Sequence, residues 1–473
     1  MSFSSQNVKK PVIKDEICRM WDAFREHIQN ELPEVSPELL QSLREVQFPS
    51  IRLNPIKKMP VKFHGTAVPW ENQAVQLQDS PSFYLDPCWH AGAYYVQESS
   101  SMFLGEIIRQ LVRTSQAPDL KVLDLCAAPG GKSTHILSVI PDDALLLSNE
   151  IISKRNAILR ENITRWGKPN VIITQNEARD FSILENYFDM VVVDAPCSGE
   201  GLFRKDRSSI EEWSLDNVKM CATRQKDILQ SVIPCIKENG FLIYSTCTFE
   251  RCENEDQIKW LLQKGFQLVP VDASAFKEIC PGFISNTYRF YPHKTTGSGF
   301  FIACLKKVNG RQSTVDSGLF TKKKRKFSVE EIKFPAVENW IEKPGNYSLL
   351  KTPYAIHVFP KNLQHELFYL NEYLHITYFG IELGELKKDI FIPAHALALS
   401  EIIKNDVAAI EAGKEDALLF LRKSDLSESA RNSAKKENLG WKVIKYKGLN
   451  LGWVKVLQDR INNYLPNNWR ILN

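Results

Sequence analysis

The stretch from Lys121 to Thr134, KVLDLCAAPGGKST, constrains the fold more than any other part of the chain. Val122, Leu123 and Leu125 predict a short buried strand, Ala127 to Gly131 a tight turn of small residues, and Lys132 onward the start of a helix. Such a turn is a ligand site. Gly130 and Gly131 let the backbone come close to a bound group, Pro129 stiffens the turn, and the first N–H groups of the helix face whatever sits there. Gly131-Lys132-Ser133 also copies the end of a phosphate-binding P-loop, and Met190 to Asp194 (MVVVD) could pass for its magnesium-holding strand. Cys126 breaks that match, because a P-loop needs glycine there to wrap phosphates.

A second apolar run, Leu145 to Leu147, leads to Glu150, 19 residues beyond Gly131. An acidic residue at that spacing, at the end of the second strand, accepts hydrogen bonds from ribose hydroxyls. With no G-x-G-x-x-G fingerprint for a pyrophosphate, the expected ligand is a nucleoside cofactor, S-adenosylmethionine above all. Strands expected at 121–126, 144–149, 170–175, 188–194 and 240–246 alternate with helices at 132–139, 152–166 and 217–237, which predicts an α/β fold with a parallel, doubly wound, Rossmann-like sheet. Phe266–Pro270 and Gly299–Leu305 are expected to complete it as edge strands.

Around this core the 473-residue chain divides into an expected N-terminal helical unit at 1–80, a cofactor-binding domain at 81–308, a basic linker at 309–327 and a C-terminal region at 328–473. In the first unit Ile17, Met20, Trp21, Phe24 and Ile28 share a helix face, and a second helix is expected with Ser36 as cap and Pro37 at its first position. The Pro-punctuated stretch after Ile51, with Arg52 and Asn54, reads as a solvated loop. The linker ends in Lys322 to Lys326, a solvated charge run, a nuclear address or an RNA-grazing arm. No apolar leader and no run of 18 apolar residues appear, so a cytoplasmic location without membrane contact is expected. Ten cysteines form no CxxC pair, which argues for reduced thiols and no metal.

Charge is uneven: the net is only +4, yet residues 431–473 hold nine Lys or Arg against Glu437 and Asp459. Trp441, Tyr446, Trp453, Tyr464 and Trp469 are interleaved with those cations. Aromatic residues among cations suit stacking on nucleotides, although aromatics in a small β domain are more often core. RNA is the expected partner of this tail.

Open α/β sheets bind ligands at the carboxyl ends of their strands. Here four strands end in Cys126 with the glycine turn, Glu150, Asp194-Ala195-Pro196-Cys197, and Ser245-Thr246-Cys247. Cys197 and Cys247 thus sit on the rim beside the expected cofactor, whereas Cys18, Cys221, Cys235, Cys280 and Cys304 read as inert apolar residues. A thiolate beside a methyl donor suits one problem. C5 of a pyrimidine is too electron-poor to attack a methyl group until a nucleophile adds at C6, and cysteine is the side chain best able to do so. A second group must then help remove the C5 proton.

DLCAAPGGK, DAPCSGEG and YSTCT, in this order on these strand ends, resemble the RNA cytosine-C5 methyltransferases of the Nol/Nop/Sun family. RLNPIK (52–57), YYVQESSSM (94–102) and FRKD (203–206) with Trp213 match further, so the resemblance covers roughly residues 50–307. It implies Cys247 as nucleophile and Cys197 for product release, with Cys126, Ala127, Ala128, Pro129, Gly130, Gly131, Lys132 and Glu150 holding S-adenosylmethionine and Asp194 near its amino-acid end. Where the family has Asp before the third-strand Ala/Gly-Arg, this chain has Glu177, which the resemblance places at the adenine amino group. His395 to Leu399 and Lys447 to Trp453 look like the tail of bacterial members that modify 16S rRNA, an α+β domain of PUA type. The implied activity is S-adenosylmethionine-dependent methylation of a cytidine in rRNA or the small ribosomal subunit. A tRNA methyltransferase and a ribosome-assembly factor are the alternatives.

Overall fold

The computed structural model describes residues 10–58, 63–114, 119–308, 328–388, 390–437 and 439–472. The basic linker at 309–327 lies outside them. Among the described residues no helix is long and apolar enough to cross a membrane.

The chain opens with two helices, Lys10–Glu31 and Ser36–Ser42. Phe24 and Ile28, a helical turn apart, are fully buried in a cluster with Phe203 and Trp213. Phe24 meets both rings edge to face at 5.1 and 5.2 Å, so the first helix packs over the FRKD segment. Ser36 is not a cap: it falls inside the second helix, and its hydroxyl turns back to the Pro33 carbonyl at 3.4 Å.

Next comes a four-stranded antiparallel sheet of β1 (Ser50–Leu53), β2 (Gly65–Val68), β3 (Glu71–Leu77) and β4 (Tyr94–Val96), in the order β2-β3-β1-β4. The boundary expected at residue 80 cuts through this unit, because Ile51 pairs with Val96 and Leu53 with Tyr94. The expected solvated loop at Arg52 and Asn54 is likewise corrected. Both side chains are buried, since β1 is the middle of this sheet and presses against the next domain.

The central sheet holds β5 (Lys121–Asp124), β6 (Leu145–Asn149), β7 (Val171–Thr174), β8 (Phe188–Asp194), β9 (Ile236–Thr246), β10 (Phe266–Leu268), β11 (Cys280–Pro281), β12 (Thr287–Phe290) and β13 (Phe300–Lys307). Strands β9, β8, β5, β6 and β7 run parallel and are covered on both faces, hence their nearly unbroken apolar sequences. Alternate residues serve opposite layers: Val122, Leu146, Met190 and Val192 face the helices Phe103–Thr114, Gly131–Val139 and Ser153–Trp166. Leu123, Leu147, Val191 and Val193 face Leu215–Val232 and Glu255–Gln263.

The expectation of Gly299–Leu305 as an edge strand fails. β13 is interior, lying between β9 and β12, and on the far side β7 is covered by a strand from the C-terminal region. That region supplies β14 (Glu330–Glu331), β15 (Tyr347–Lys351), β16 (Ile356–Pro360), β17 (Ile376–Phe379), β18 (Ile381–Lys387) and β19 (Ile390–Pro393). Of these, β17 leaves its neighbours to pair antiparallel with β7, Ile376 opposite Thr174 and Phe379 opposite Ile172. The chain ends in a mixed sheet of β20 (Ala409–Ala412), β21 (Gly440–Tyr446), β22 (Leu449–Val456) and β23 (Ile461–Asn463). Trp453 and Tyr446 are buried in it, and Lys442 is 2% exposed, so these three are core and not contact surface.

Candidate active site

The parallel register assembles the site. Asp194 at the end of β8 pairs with Ser245 near the end of β9, so the loops that follow bring Cys197 and Cys247 together. Their sulfurs lie 3.3 Å apart, and the Cys247 backbone N–H donates to Cys197 Sγ at 3.4 Å. The bond to Cys247, reinforced by burial, pushes the Cys197 thiol well above the ordinary cysteine range, so Cys197 stays protonated.

Several bonds cross-tie the two cysteine loops. The Gly201 N–H donates to the Cys247 carbonyl at 2.8 Å, and the Ser198 and Thr248 hydroxyls share a bond of 2.8 Å. Glu200 accepts from the Phe249 N–H at 2.8 Å, the Thr248 hydroxyl at 3.0 Å and the Trp213 indole at 2.9 Å. In the opposite direction, Glu253 accepts from the Ser198 N–H at 3.1 Å and Gln225 at 2.6 Å. Both carboxyls are fully buried. Burial, then Glu250, raises Glu200 well above the carboxylate range, and burial lifts Glu253 to about 7 against the bonds it accepts. The sequence signal was present in the DAPCSGEG motif, but a glutamate there reads as polar rim until its burial is seen.

Lys132, at the start of the helix after the glycine turn, places its ammonium 2.7 Å from Asp194, whose other oxygen accepts from the Ser245 hydroxyl at 2.7 Å. Burial alone would lower Lys132, yet Asp194, Asp124 and Cys247 together hold it above its ordinary value. A fixed cation, paired with Asp194, therefore contributes to the field around Cys247.

The glycine turn is supported from below. Gly130 has φ +111° and caps the helix, and a Cβ there would stand 3.2 Å from Leu159. Arg52 donates to Thr134 Oγ1 at 2.7 Å, to the Gly131 carbonyl at 3.3 Å and to Gln97 at 2.9 Å, with its guanidinium 4.4 Å above the Trp166 ring. Ala127 and Ala128 are buried, Cys126 is half-buried, and Asn162 donates to the Pro129 carbonyl at 2.8 Å. Asp124 lies beneath the turn, its carboxyl pushed by burial to about 7 while Ser133 donates to it at 2.6 Å.

Glu150 ends β6, only 3% exposed, and accepts from the Ile152 N–H at 2.8 Å with Arg155 at 3.4 Å. Asn149, which the sequence did not single out, binds the Leu125 and Asn176 carbonyls and accepts from the Asn176 N–H, so one side chain ties three strand ends together. Glu177 follows Asn176 on the same rim but is half exposed and paired with Arg179 at 2.7 Å. The sites expected at Cys126 to Lys132, Glu150, Asp194, Cys197 and Cys247 therefore fall on one strand-end rim, with Glu177 at its margin.

A doubly wound sheet with a glycine turn, an acidic second strand end and a half-buried cysteine pair defines a Rossmann-like methyltransferase. The family profile of 16S rRNA methyltransferase RsmB/F matches residues 113–306, the N-terminal domain of 16S rRNA methyltransferase RsmF residues 20–99, and the methyltransferase RsmF PUA domain residues 407–471. Ribosomal RNA small subunit methyltransferase F of Psychromonas ingrahamii is 30% identical over 455 residues, covering 88% of this chain and 90% of that protein. The protein of the same name from Vibrio parahaemolyticus is 29% identical, covering 94% and 96%. Among solved structures, a methyltransferase homolog from Pyrococcus horikoshii is 26% identical with a TM-score of 0.53, covering 63% of this chain and all of its own. The chain belongs to the RsmB/F family of 16S rRNA methyltransferases.

Proposed function

We propose that this methyltransferase converts a cytidine of 16S rRNA in the cytoplasm to 5-methylcytidine, using S-adenosylmethionine and a transient cysteine–C6 bond. The observation that carries the reading is the cysteine pair, 3.3 Å apart, beside the Lys132–Asp194 ion pair. The residues present suit the cofactor: a close-approach turn at Gly130 and Gly131, a buried carboxylate at Glu150, and Asp194 fixed by two partners. Cys126 to Lys132 would hold it from the glycine turn, and Glu150 and the more exposed Glu177 from the ends of the neighbouring strands. S-adenosylmethionine, when bound there, supplies the electrophilic methyl group.

The rest is done by this chain. Lys132 provides the countercharge for a Cys247 thiolate, while Cys197, held as the thiol, leaves Cys247 the nucleophile. Cys247 Sγ adds to C6 and turns C5 into a carbanion equivalent. Once C5 carries the methyl, its proton must leave so that the electron pair of that C–H bond can expel Cys247. Cys197, protonated and in contact with Cys247, assists this elimination by positioning the base that takes the C5 proton. The N-terminal sheet and the PUA-like tail serve as RNA-binding elements around this core.

Radioactive methyl from S-adenosylmethionine should enter small-subunit rRNA, and nucleoside digestion should return it as 5-methylcytidine. Label in tRNA alone would replace the substrate, and label on any other nucleoside atom would remove the cysteine chemistry.

A further inference from the structure

We infer that the lysine-lined cleft between the N-terminal sheet domain and the β21–β22 hairpin is a docking site for the phosphodiester backbone of the RNA substrate. It rests on the RNA methyltransferase reading and locates a second contact remote from the chemistry.

The cleft has a volume of about 630 Å³ and is lined by Lys57 and Lys58 from the loop after β1, Lys404 from the segment before β20, and Lys445 and Lys447 from the β21–β22 hairpin. Five lysines from three distant parts of the sequence thus share one concavity. Glu401 is the carboxylate in its lining, and it is engaged by Lys168 at 3.2 Å. Among the described residues no carboxylate lies within 4.0 Å of the Lys58, Lys404, Lys445 or Lys447 ammonium groups. Lys57 forms the floor, its ammonium held by the Ala91 and Arg165 carbonyls at 2.5 Å each. Burial, then Arg165, lowers it to about 7 against the opposing pull of Glu401. Asn450, also lining the cleft, adds a polar group.

Concentrated like charge in a concavity repels itself and attracts a polyanion. Lysines act on phosphate as point charges without the directionality of an arginine fork, so several of them in one cleft suit a strand with a charge at every nucleotide. The place also fits a remote contact. The helix Ser153–Trp166 starts at the carboxyl rim near Glu150 and ends at Arg165 and Trp166, beside Lys57, so the cleft lies about 20 Å from the rim at 1.5 Å per residue.

The full-length protein carrying Lys58→Gln, Lys404→Gln, Lys445→Gln and Lys447→Gln tests this against a control with the same charge change elsewhere, Lys219→Gln, Lys226→Gln, Lys259→Gln and Lys277→Gln. Binding to a small-subunit rRNA fragment is followed across salt concentration. The cleft variant should bind at least tenfold more weakly at 150 mM salt and lose about 3 from the slope of log affinity against log salt, at roughly 0.7 per phosphate. The control should lose neither, and Lys58→Gln alone should lose about 0.7. Where methyl transfer is seen, the cleft variant should raise KM and keep kcat. A cleft variant with the wild-type slope would overturn the inference and leave the cleft to an acidic protein segment. Wild-type protein that transfers no methyl to RNA, while the slope still falls in the cleft variant, would sustain the cleft and remove the enzymatic reading.

Discussion

Sγ of Cys197 lies 3.3 Å from Sγ of Cys247, with the Cys247 N–H aimed at the same Cys197 sulfur. Two cysteines this close cannot both be thiolates, since like charges in one buried site drive one group to keep its proton. The pair is therefore asymmetric, Cys197 holding the proton and Cys247 lying within the field of Lys132.

Removing each sulfur should consequently fail in a different way. Cys247→Ala should give neither a covalent RNA adduct nor methyl transfer, although the base can still be flipped into the site. Cys197→Ala should form the bond, transfer the methyl and stall. Denaturing electrophoresis with labelled RNA should show a retained band for Cys197→Ala that disappears in the double variant. A trapped Cys247→Ala protein would exchange the roles.

Glu150 is almost wholly buried, and its carboxylate is oriented by the Ile152 N–H and Arg155. Hydrogen bonds to a charged group are each worth about 1.5–3 kcal/mol. Glu150→Ala should therefore weaken S-adenosylmethionine binding by about tenfold or more in calorimetry. Unchanged affinity would take Glu150 out of the cofactor site.

Arg52 joins β1 to the floor of the glycine turn, and burial lowers its guanidinium to about 9. Arg52→Met keeps much of the volume but leaves Gln97 Oε1 and the Gly131 carbonyl without this donor. Breaking a buried charged network in this way should cost about 3 kcal/mol of stability, seen as a lower urea midpoint, together with weaker cofactor binding. A variant as stable as wild type would make Arg52 a bystander.

Glu253 sets a pH dependence. Its folded value of about 7 exceeds its ordinary 4.5, so the folded state holds the extra proton between these values. Its contribution to stability is complete below pH about 4.5 and is lost as pH rises through about 7. Glu253→Gln imitates the protonated carboxyl and should flatten the stability profile across that window. If the slope persists, another of the buried acids is responsible.

Gly201 lies where the two cysteine loops touch: a Cβ there would stand 2.6 Å from the Gly299 carbonyl and 2.9 Å from that of Cys247. Neither backbone atom can swing aside. Gly201→Ala should reduce kcat more than tenfold with unchanged cofactor affinity, and a normal kcat would mean the loops tolerate separation.

The glycine turn, the acidic strand end and both cysteines were legible because each depends on a short segment whose apolar period announces a strand and whose next residues announce a turn. Arg52 and Glu200 were not. A charged residue in a short polar motif reads as solvated, and only the crossing of β1 beneath the helix Gly131–Val139, or of Trp213 over the DAPC loop, buries it. The last strand of the central sheet was invisible for a similar reason: ITYF at 376–379 has no local feature that names Val171–Thr174 as its partner.

That last pairing gives the protein an unusual schedule of manufacture. β7 is buried at every position in the finished molecule, but its outer edge stays open until Phe379 has been synthesised, 205 residues after Thr174. At 5–20 residues per second this is about 10–40 s on the ribosome with the row of N–H and C=O groups of Val171–Thr174 unpaired. Such an edge is a template for pairing with another chain. Expression of residues 1–308 alone should thus yield protein that self-associates through β7, and the C-terminal region acts on its own enzyme as the strand that ends the sheet.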